Sequence, residues 1–503
     1  MDARSQVAAI VAVLILAAFA SADDTPKQKP QLEAQPLPPS LLAPQVEPID
    51  LPCALQLAGV RNPEIMLARE RVLEAVAIHQ LAAAQFLPTI NAGTNVDLHN
   101  GNLQQSTGNI LNVNRGALYV GLGANAVGAG TINIPGVVWN LNTSDVLFSA
   151  LASRQVVRQR QFASKAVEND VLLRVAGAYL ALLRAEGRQA VAIQTRTETA
   201  EVARITGNYA KAGQGRQADA DRAATELEQR NAEIADAENE VLAASARLAE
   251  LLSLDTSVRL HVTDAWAMPA GLVPEPIPLP ELIAIALTQR PELGEQQAAI
   301  REALLLLRGA KLLPFSPNLL VGYSAGDFGG GSNIVAAAGG PRFGNFNNRQ
   351  DYDAVLYWSV HNLGVGNLAQ IRLAQSRLRA SQWREVEVLD RVRAEVARAH
   401  ARTHARFAQI ESTEKAVQAS GNAFQQDLLR TRNHEGLPIE VLDSLRLLGR
   451  SRQQYLDAII EYNLAQFELY VALGQPPADY LARPMPIKLV PPPADALPPP
   501  AAK

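Results

Sequence analysis

The chain is poor in the residues that staple or span. It has one cysteine, Cys53, so no disulfide can close within it. That residue is expected as a small buried hydrophobe. Aromatic residues make up only 5% of the chain. Neither sign of charge dominates: the formal net charge is −4. The basic residues are not gathered in one stretch, which excludes an electrostatic footprint for nucleic acid. Long apolar runs are almost absent. The one short run, residues 7–19, follows Arg4 and ends at Ala18-Phe19-Ala20 and Ala20-Ser21-Ala22. This is the pattern of a cleaved secretory signal over residues 1–22. It is too short for a comfortable membrane span, and no transmembrane helix is expected in the rest.

What is present is a duplication. Asn62-Pro63-Glu64 opens a helix that runs towards Leu87-Pro88. Two strand-like segments follow, then a long helix from about Ser144, a break at Gly213 and Gly215, and a returning helix to about Leu252. The second half repeats the order from Arg290-Pro291-Glu292 to Leu313-Pro314, through strands, to a long helix from about Val365, a break at Gly436 and a return to about Leu473. A repeat on this scale defines the architecture before any single residue does. It divides the chain into a Pro-rich lead-in (23–48), a first repeat (49–254), a linker (255–278), a second repeat (279–474) and a Pro-rich tail (475–503).

The helices are rich in Ala, Leu, Arg, Glu and Gln, the composition of long coiled-coil rods. On the last helix, Leu445, Leu448, Arg452, Tyr455, Ile459, Tyr462, Gln466, Leu469 and Leu473 form one seam, with Leu456, Ile460, Asn463, Phe467 and Tyr470 beside it. The first long helix pairs Leu172, Val175, Tyr179 and Leu182 with Leu173, Ala176, Leu180 and Leu183. One seam makes a dimer; two adjacent seams make a wall. Nearly seventy residues at 1.5 Å each give rods about 100 Å long. Their charged residues forbid a path through lipid. The shorter helices (50–86, 217–252, 279–313 and 438–474) are about half as long, so two laid end to end match one rod.

Four segments have period two. They are 90–99, a weaker case within 117–142, 318–325 and 353–361, where residues such as Val96, Leu98, Leu319, Val321 and Leu356 alternate with a second, more polar set. Asn- and Gly-rich stretches at 100–116 and 326–350 are expected as loops. The pattern fits a half-buried sheet or membrane barrel strands. Four strands cannot close a barrel, and lipid does not tolerate open edges. Chains must therefore pool strands about a cyclic axis. A dimer gives the minimum barrel and a trimer gives about twelve strands, enough for a channel; periodicity does not choose between them.

This order of elements, with the helix starts at Asn62-Pro63-Glu64 and Arg290-Pro291-Glu292 and the turns Gly213-Gln214-Gly215-Arg216-Gln217-Ala218-Asp219 and Gly436-Leu437-Pro438-Ile439-Glu440-Val441-Leu442-Asp443, resembles the TolC-like outer-membrane efflux factor family over residues 49–474. The resemblance implies a mainly α fold with a small β part. A homotrimer would build a 12-stranded β-barrel in outer-membrane lipid above an α-barrel that crosses the periplasm. It implies an exit duct without enzymatic chemistry or cofactor, serving a tripartite efflux or type I secretion system. The partners would be a periplasmic adaptor and an inner-membrane pump of the RND or ABC class. Carried onto this sequence, the family's carboxylates at the periplasmic mouth fall on Glu440 and Asp443, with Asp219 and Asp221 in the corresponding place of the first half. Each would form a threefold ring that gathers cations; acids at a helix N-terminus are also favourable without any such role. The hairpin tips, Gly213, Gly215, Arg216, Gly436, Leu437 and Pro438, would dock the adaptor. Arg216, Arg432 and His434 are candidates for holding the mouth shut.

Other patterns carry less. His400 and His404 share a helix face, but Ala401 stands where a zinc hydrolase needs Glu, so a solvated face or pore lining is expected. Gly329-Gly330-Gly331 lacks the ending of a phosphate loop and is expected in an outer loop. The rival to a duct is a periplasmic coiled-coil scaffold with no pore, which has no need of alternating strand faces.

Overall fold

The computed structural model describes residues 46–124, 133–263, 267–273, 277–333, 344–433 and 435–475, with the backbone alone of Asn345. The signal segment, most of the lead-in, the tail beyond 475 and His434 lie outside the described residues. In chain order the elements are β1 (Val46–Ile49), α1 (Leu51–Arg61), α2 (Pro63–Ala84), β2 (Thr89–Ile90), β3 (Ala92–Gln104), β4 (Ile110–Ala124), β5 (Ile134–Pro135), β6 (Val137–Asn142), α3 (Thr143–Lys211), α4 (Gln217–Leu252), β7 (Arg259–Val262), α5 (Leu279–Gln289), α6 (Pro291–Leu312), β8 (Asn318–Ser332), β9 (Gly344–Tyr357), α7 (Val365–Arg432) and α8 (Pro438–Ala472).

The rods α3 and α7 have 69 and 68 residues. The expected short helices 50–86 and 279–313 are each broken, at Asn62 and Arg290. The residue before a proline is pushed out of helical geometry, and both take extended backbone, with ψ of 125° and 126°. Asn62 also caps α2: its Oδ1 accepts the Glu64 N–H at 2.9 Å. Its Nδ2 donates to the Leu251 carbonyl at 2.8 Å, which joins the end of α4 to the start of α2. In the second half, Gly474 (φ +85°) lies so close to Gln289 and Arg290 that a Cβ there would fall 2.7 Å from backbone. The end of α8 thus abuts the start of α6. The short helices are stacked end to end beside the rods, and the wall runs α2/α4, α3, α6/α8, α7.

Both predicted seams are buried. On α8, Leu445, Leu448, Ile459, Tyr462, Gln466 and Leu469 form one row, and Ile460, Asn463, Phe467 and Tyr470 the other. The main core gathers at the level of the joints, around Val175, Tyr179, Leu182, Leu248, Leu252, Val396 and Phe467. There β1 and β7 pair in parallel, β1 at the end of the stretch expected as lead-in and β7 inside the expected linker. Cys53 is exposed, not buried: it falls in the first turn of α1, where its N–H donates to the Asp50 carboxylate and its side chain points away from the neighbouring Ala54 and Leu55 of the core.

The seven strands of the main sheet form four antiparallel staves: β2 with β3, β4 with β6 (β5 beside them), β8 and β9. The hairpins are longer than expected. Residues 100–104, 110–116, 326–332 and 344–350 are strand rather than loop, and Gly329-Gly330-Gly331 pairs with Leu118, Ala117 and Gly116. Glycine here makes room for rings: a Cβ at Gly329 would collide with Phe346, and one at Gly326 would meet the Tyr119 ring at 2.8 Å. The last stave ends at Tyr357, and residues 361–364 turn the chain towards α7 with Asn362 and Leu363 in left-handed backbone.

Residues paired across antiparallel strands share a face. One face collects Val96, Leu98, Leu118, Val120, Trp139, Leu319, Val321, Tyr323, Tyr352, Ala354 and Leu356; the other collects Asn95, Asp97, His99, Arg115, Asn140, Ser324, Arg349, Asp351 and Asp353. The apolar face looks outward: Val96 is 58% exposed, Leu98 56%, Leu356 56% and Tyr352 73%. The charged face is the more covered, and Arg115 lies 3.5 Å from Asp97 there. Among the described residues, both edges of the sheet, β3 and β9, are unpaired. No described helix is long and apolar enough to cross a membrane.

Candidate functional site

The two helix reversals lie at the end of the rods farthest from the sheet. The first follows a C-cap at Ala212, with Gly213 left-handed at φ +72°, the conformation that favours glycine at this place. Gln214 and Gly215 N–H groups both donate to the Tyr209 carbonyl. Gly215 and Gly436 pack closely instead: a Cβ on either would stand 3.1 Å from the Cβ of Tyr209 or Arg430, which a small shift of the neighbour would relieve. Pro438 opens α8 at its first position, preceded by Leu437 in extended backbone. Leu437 is 60% exposed, and Gly213, Gly215 and Arg216 are exposed beside it on the other tip. The tips therefore present a mixed apolar and polar surface.

The candidate acids Asp219 and Glu440 sit in the first turns of α4 and α8, Asp221 and Asp443 in the second, and each has a partner within the chain. Glu440 accepts the Leu437 N–H at 3.3 Å and lies 3.8 Å from Arg430. Asp443 pairs with Arg446 at 3.4 Å and Asp219 with Arg222 at 3.2 Å. Asp221 accepts from the Gln217 amide at 2.9 Å. Glu440 and Asp443 stay open to solvent, with side chains 43% and 66% exposed; Asp219 is largely covered.

The structure also ties the two hairpins together near the tips, through ion pairs whose acidic members, Glu198, Glu201 and Glu226, the sequence pattern does not mark. Arg452 forks onto Glu198 at 2.8 and 3.0 Å. Arg446 reaches Glu226. Arg432 meets Glu201 at 3.2 Å, and the Tyr209 hydroxyl donates to the Thr431 and Arg432 carbonyls. Of the expected closing candidates, Arg432 therefore makes a link, and it is a link within one chain. Arg216 is exposed and forms no ion pair among the described residues. Glu226 is almost fully buried, and its carboxyl is held below the usual range, first by the Arg446 hydrogen bond and then by Arg230. Glu201 is lowered likewise by Arg204 and, more weakly, Arg432. The i,i+3 pairs were legible as spacing; the links across more than two hundred residues carry no local signal. Higher on α7, His400 and His404 meet edge to face at 5.4 Å. No third metal-ligating side chain joins them among the described residues.

No family model matches the sequence, and no curated protein matches it. Solved structures do. The CmeC outer membrane channel of Campylobacter jejuni superposes with a TM-score of 0.69 at 14% identity, over 84% of this chain and 85% of that one. VceC, an outer membrane protein of Vibrio cholerae, gives 0.65 at 14% identity over 84% and 96%. The MtrE outer membrane channel of Neisseria gonorrhoeae, in its open state, gives 0.63 at 20% identity over 84% and 89%. The fold is therefore the one these channels have, with long helical rods carrying a small sheet, as the resemblance implied.

Proposed function

We propose that the chain is one subunit of a homotrimeric outer-membrane exit duct. In this reading it passes solutes delivered by a periplasmic adaptor and an inner-membrane RND or ABC pump. The sheet carries the argument. Its apolar face is turned to the surroundings, its charged face is turned inward, and both edges are unpaired. Water disfavours such a sheet and lipid favours it, provided the edges are closed. Three copies bring four staves each, about twelve in all, a barrel wide enough for a channel. A poreless scaffold has no use for these faces.

The rods continue the same logic. The wall begins at α2/α4 and ends at α7, in the same order as the staves above. Its two borders are complementary: α4 has nine acidic and three basic residues, whereas α7 has twelve Lys or Arg and seven acids. Packing α7 of one copy on α4 of the next closes a hollow cylinder. Glu440 and Asp443 then form exposed acidic rings near the mouth, Asp219 and Asp221 lie beside them, and the tips Gly213, Gly215, Arg216, Gly436, Leu437 and Pro438 meet the adaptor.

The test is reconstitution of the full chain in planar bilayers after extraction from outer-membrane fractions. Cation-preferring channels are expected, with the preference weakened in the Glu440→Gln, Asp443→Asn double variant. A protein that stays soluble and gives no conductance would overturn the duct. Unaltered preference in the variant would remove those two acids from the mouth.

A further inference from the structure

The second stave is interrupted in the middle of the sheet. Leu122 of β4 stands opposite Ala325 of β8, and Val137 of β6 stands opposite Tyr323. Only Ser324 separates those partners on β8, yet residues 123–136 separate them on the second stave. Between those two points Gly123 and Ala124 pair with Pro135 and Ile134 of β5 instead of with β8.

The described limb of this excursion, residues 133–136, lies on the charged face. Ser324 and Gly322 share that face with Tyr119 and Phe328. The Gly136 N–H donates to Ser324 Oγ at 3.3 Å. A Cβ on Gly322 would stand 3.3 Å from the Pro135 ring. The Asn91 amide holds the Pro135 carbonyl at 2.9 Å, and the Asn91 N–H donates to Gly136 at 2.6 Å. Glycine makes the seat possible: a Cβ at Gly123 (φ +92°) would fall 2.5 Å from the Ile134 carbonyl, and one at Gly136 would fall 2.5 Å from Leu122. The direction follows from the medium, because irregular backbone cannot face hydrocarbon.

Resting on the duct reading, we infer that Ile134 and Pro135 form an apolar collar on the wall of the membrane barrel, which narrows the lumen at their level and favours organic solutes with apolar surface over hydrated ions. Ile134 is 45% exposed on a face that also carries Asp97, Arg115, Arg349 and Asp351 beside the apolar Tyr119, Leu320, Phe328 and Val355. Threefold repetition brings three such side chains to one level. A ring of apolar groups in a polar channel raises the barrier to hydrated ions while leaving apolar surface a favourable contact.

The experiment places one thiol at the collar. In a Cys53→Ser background, Ile134→Cys is reconstituted in planar bilayers and treated with a quaternary-ammonium methanethiosulfonate. Single-channel current is expected to fall by roughly half or more, while Val96→Cys on the outer face is unaffected. Unchanged current through Ile134→Cys channels that mass spectrometry shows to be labelled, or no labelling at all, overturns the collar. Ile134→Ser gives an independent measure: small-ion conductance is expected to rise by about twofold, and an unchanged value also overturns it. If the Cys53→Ser parent itself gives no channels, the duct reading fails instead.

Discussion

Asn62 performs two jobs with one amide. Its oxygen caps α2 and its nitrogen ties that cap to the last turn of α4. Removing it leaves a helix start without its acceptor and a buried carbonyl without its donor. Asn62→Ala is expected to cost roughly 1–3 kcal/mol, read as a lower unfolding temperature in detergent with the oligomer intact. Glu226 is the other decisive residue. Its depressed pKa means that its contribution is complete above the ordinary Glu range and is lost as pH falls through the lowered value. Unfolding followed against pH should show that acid-side loss in the native chain, and Glu226→Gln should flatten it, at a cost of about 1.5–3 kcal/mol near neutral pH that shrinks as acid protonates the native Glu226. The sequence showed the Asn-Pro-Glu start because a cap is a local arrangement. It did not show Glu226, whose partner Arg446 lies on the other repeat. Cys53 was misjudged for a related reason: one residue's burial depends on which way its turn faces the core, and the short α1 has no periodicity strong enough to say.

At the scale of elements, rods and seams were legible because their periods repeat over many turns. The ends of the strands were not. Glycine and asparagine suggest loops when composition alone is considered, yet in β8 the glycines are what let Tyr119 and Phe346 lie across the sheet. Gly329→Val should therefore damage barrel assembly more than a conventional loop substitution does. The check is the yield of heat-resistant oligomer on unboiled gels, where a native yield would return this stretch to the loops. The tips behave differently. Gly213 needs its left-handed backbone, so Gly213→Val is expected to cost on the order of 1–2 kcal/mol. A bulky residue at Gly436 or charge reversal at Asp219 should impair export more than folding. Loss of the oligomer in those same variants would show that the tips matter for assembly rather than docking.

For the whole molecule, the decisive property is incompleteness. α2 leaves Leu67, Ile78 and Leu81 exposed, about three and four turns apart along one face. α7 leaves Leu368, Trp383, Val386 and Phe407 exposed. Native mass spectrometry of the detergent-extracted protein should give three chains, and Trp383→Glu should shift that distribution towards monomer. A stable native monomer that conducts would refute the shared barrel. The duplication announced this plan from the sequence, but not the number of copies, which depends on how sharply the wall curves.

The joints between α4 and α2, and between α8 and α6, have a mechanical consequence. Each rod is one continuous helix from tip to sheet, while the column beside it is spliced halfway along. A spliced column can slide and bend where an unbroken one only flexes. In the proposed duct, any twist imposed at the far end should therefore be absorbed at the level of Asn62 and Gly474, leaving the staves of the sheet undisturbed while the opposite opening widens.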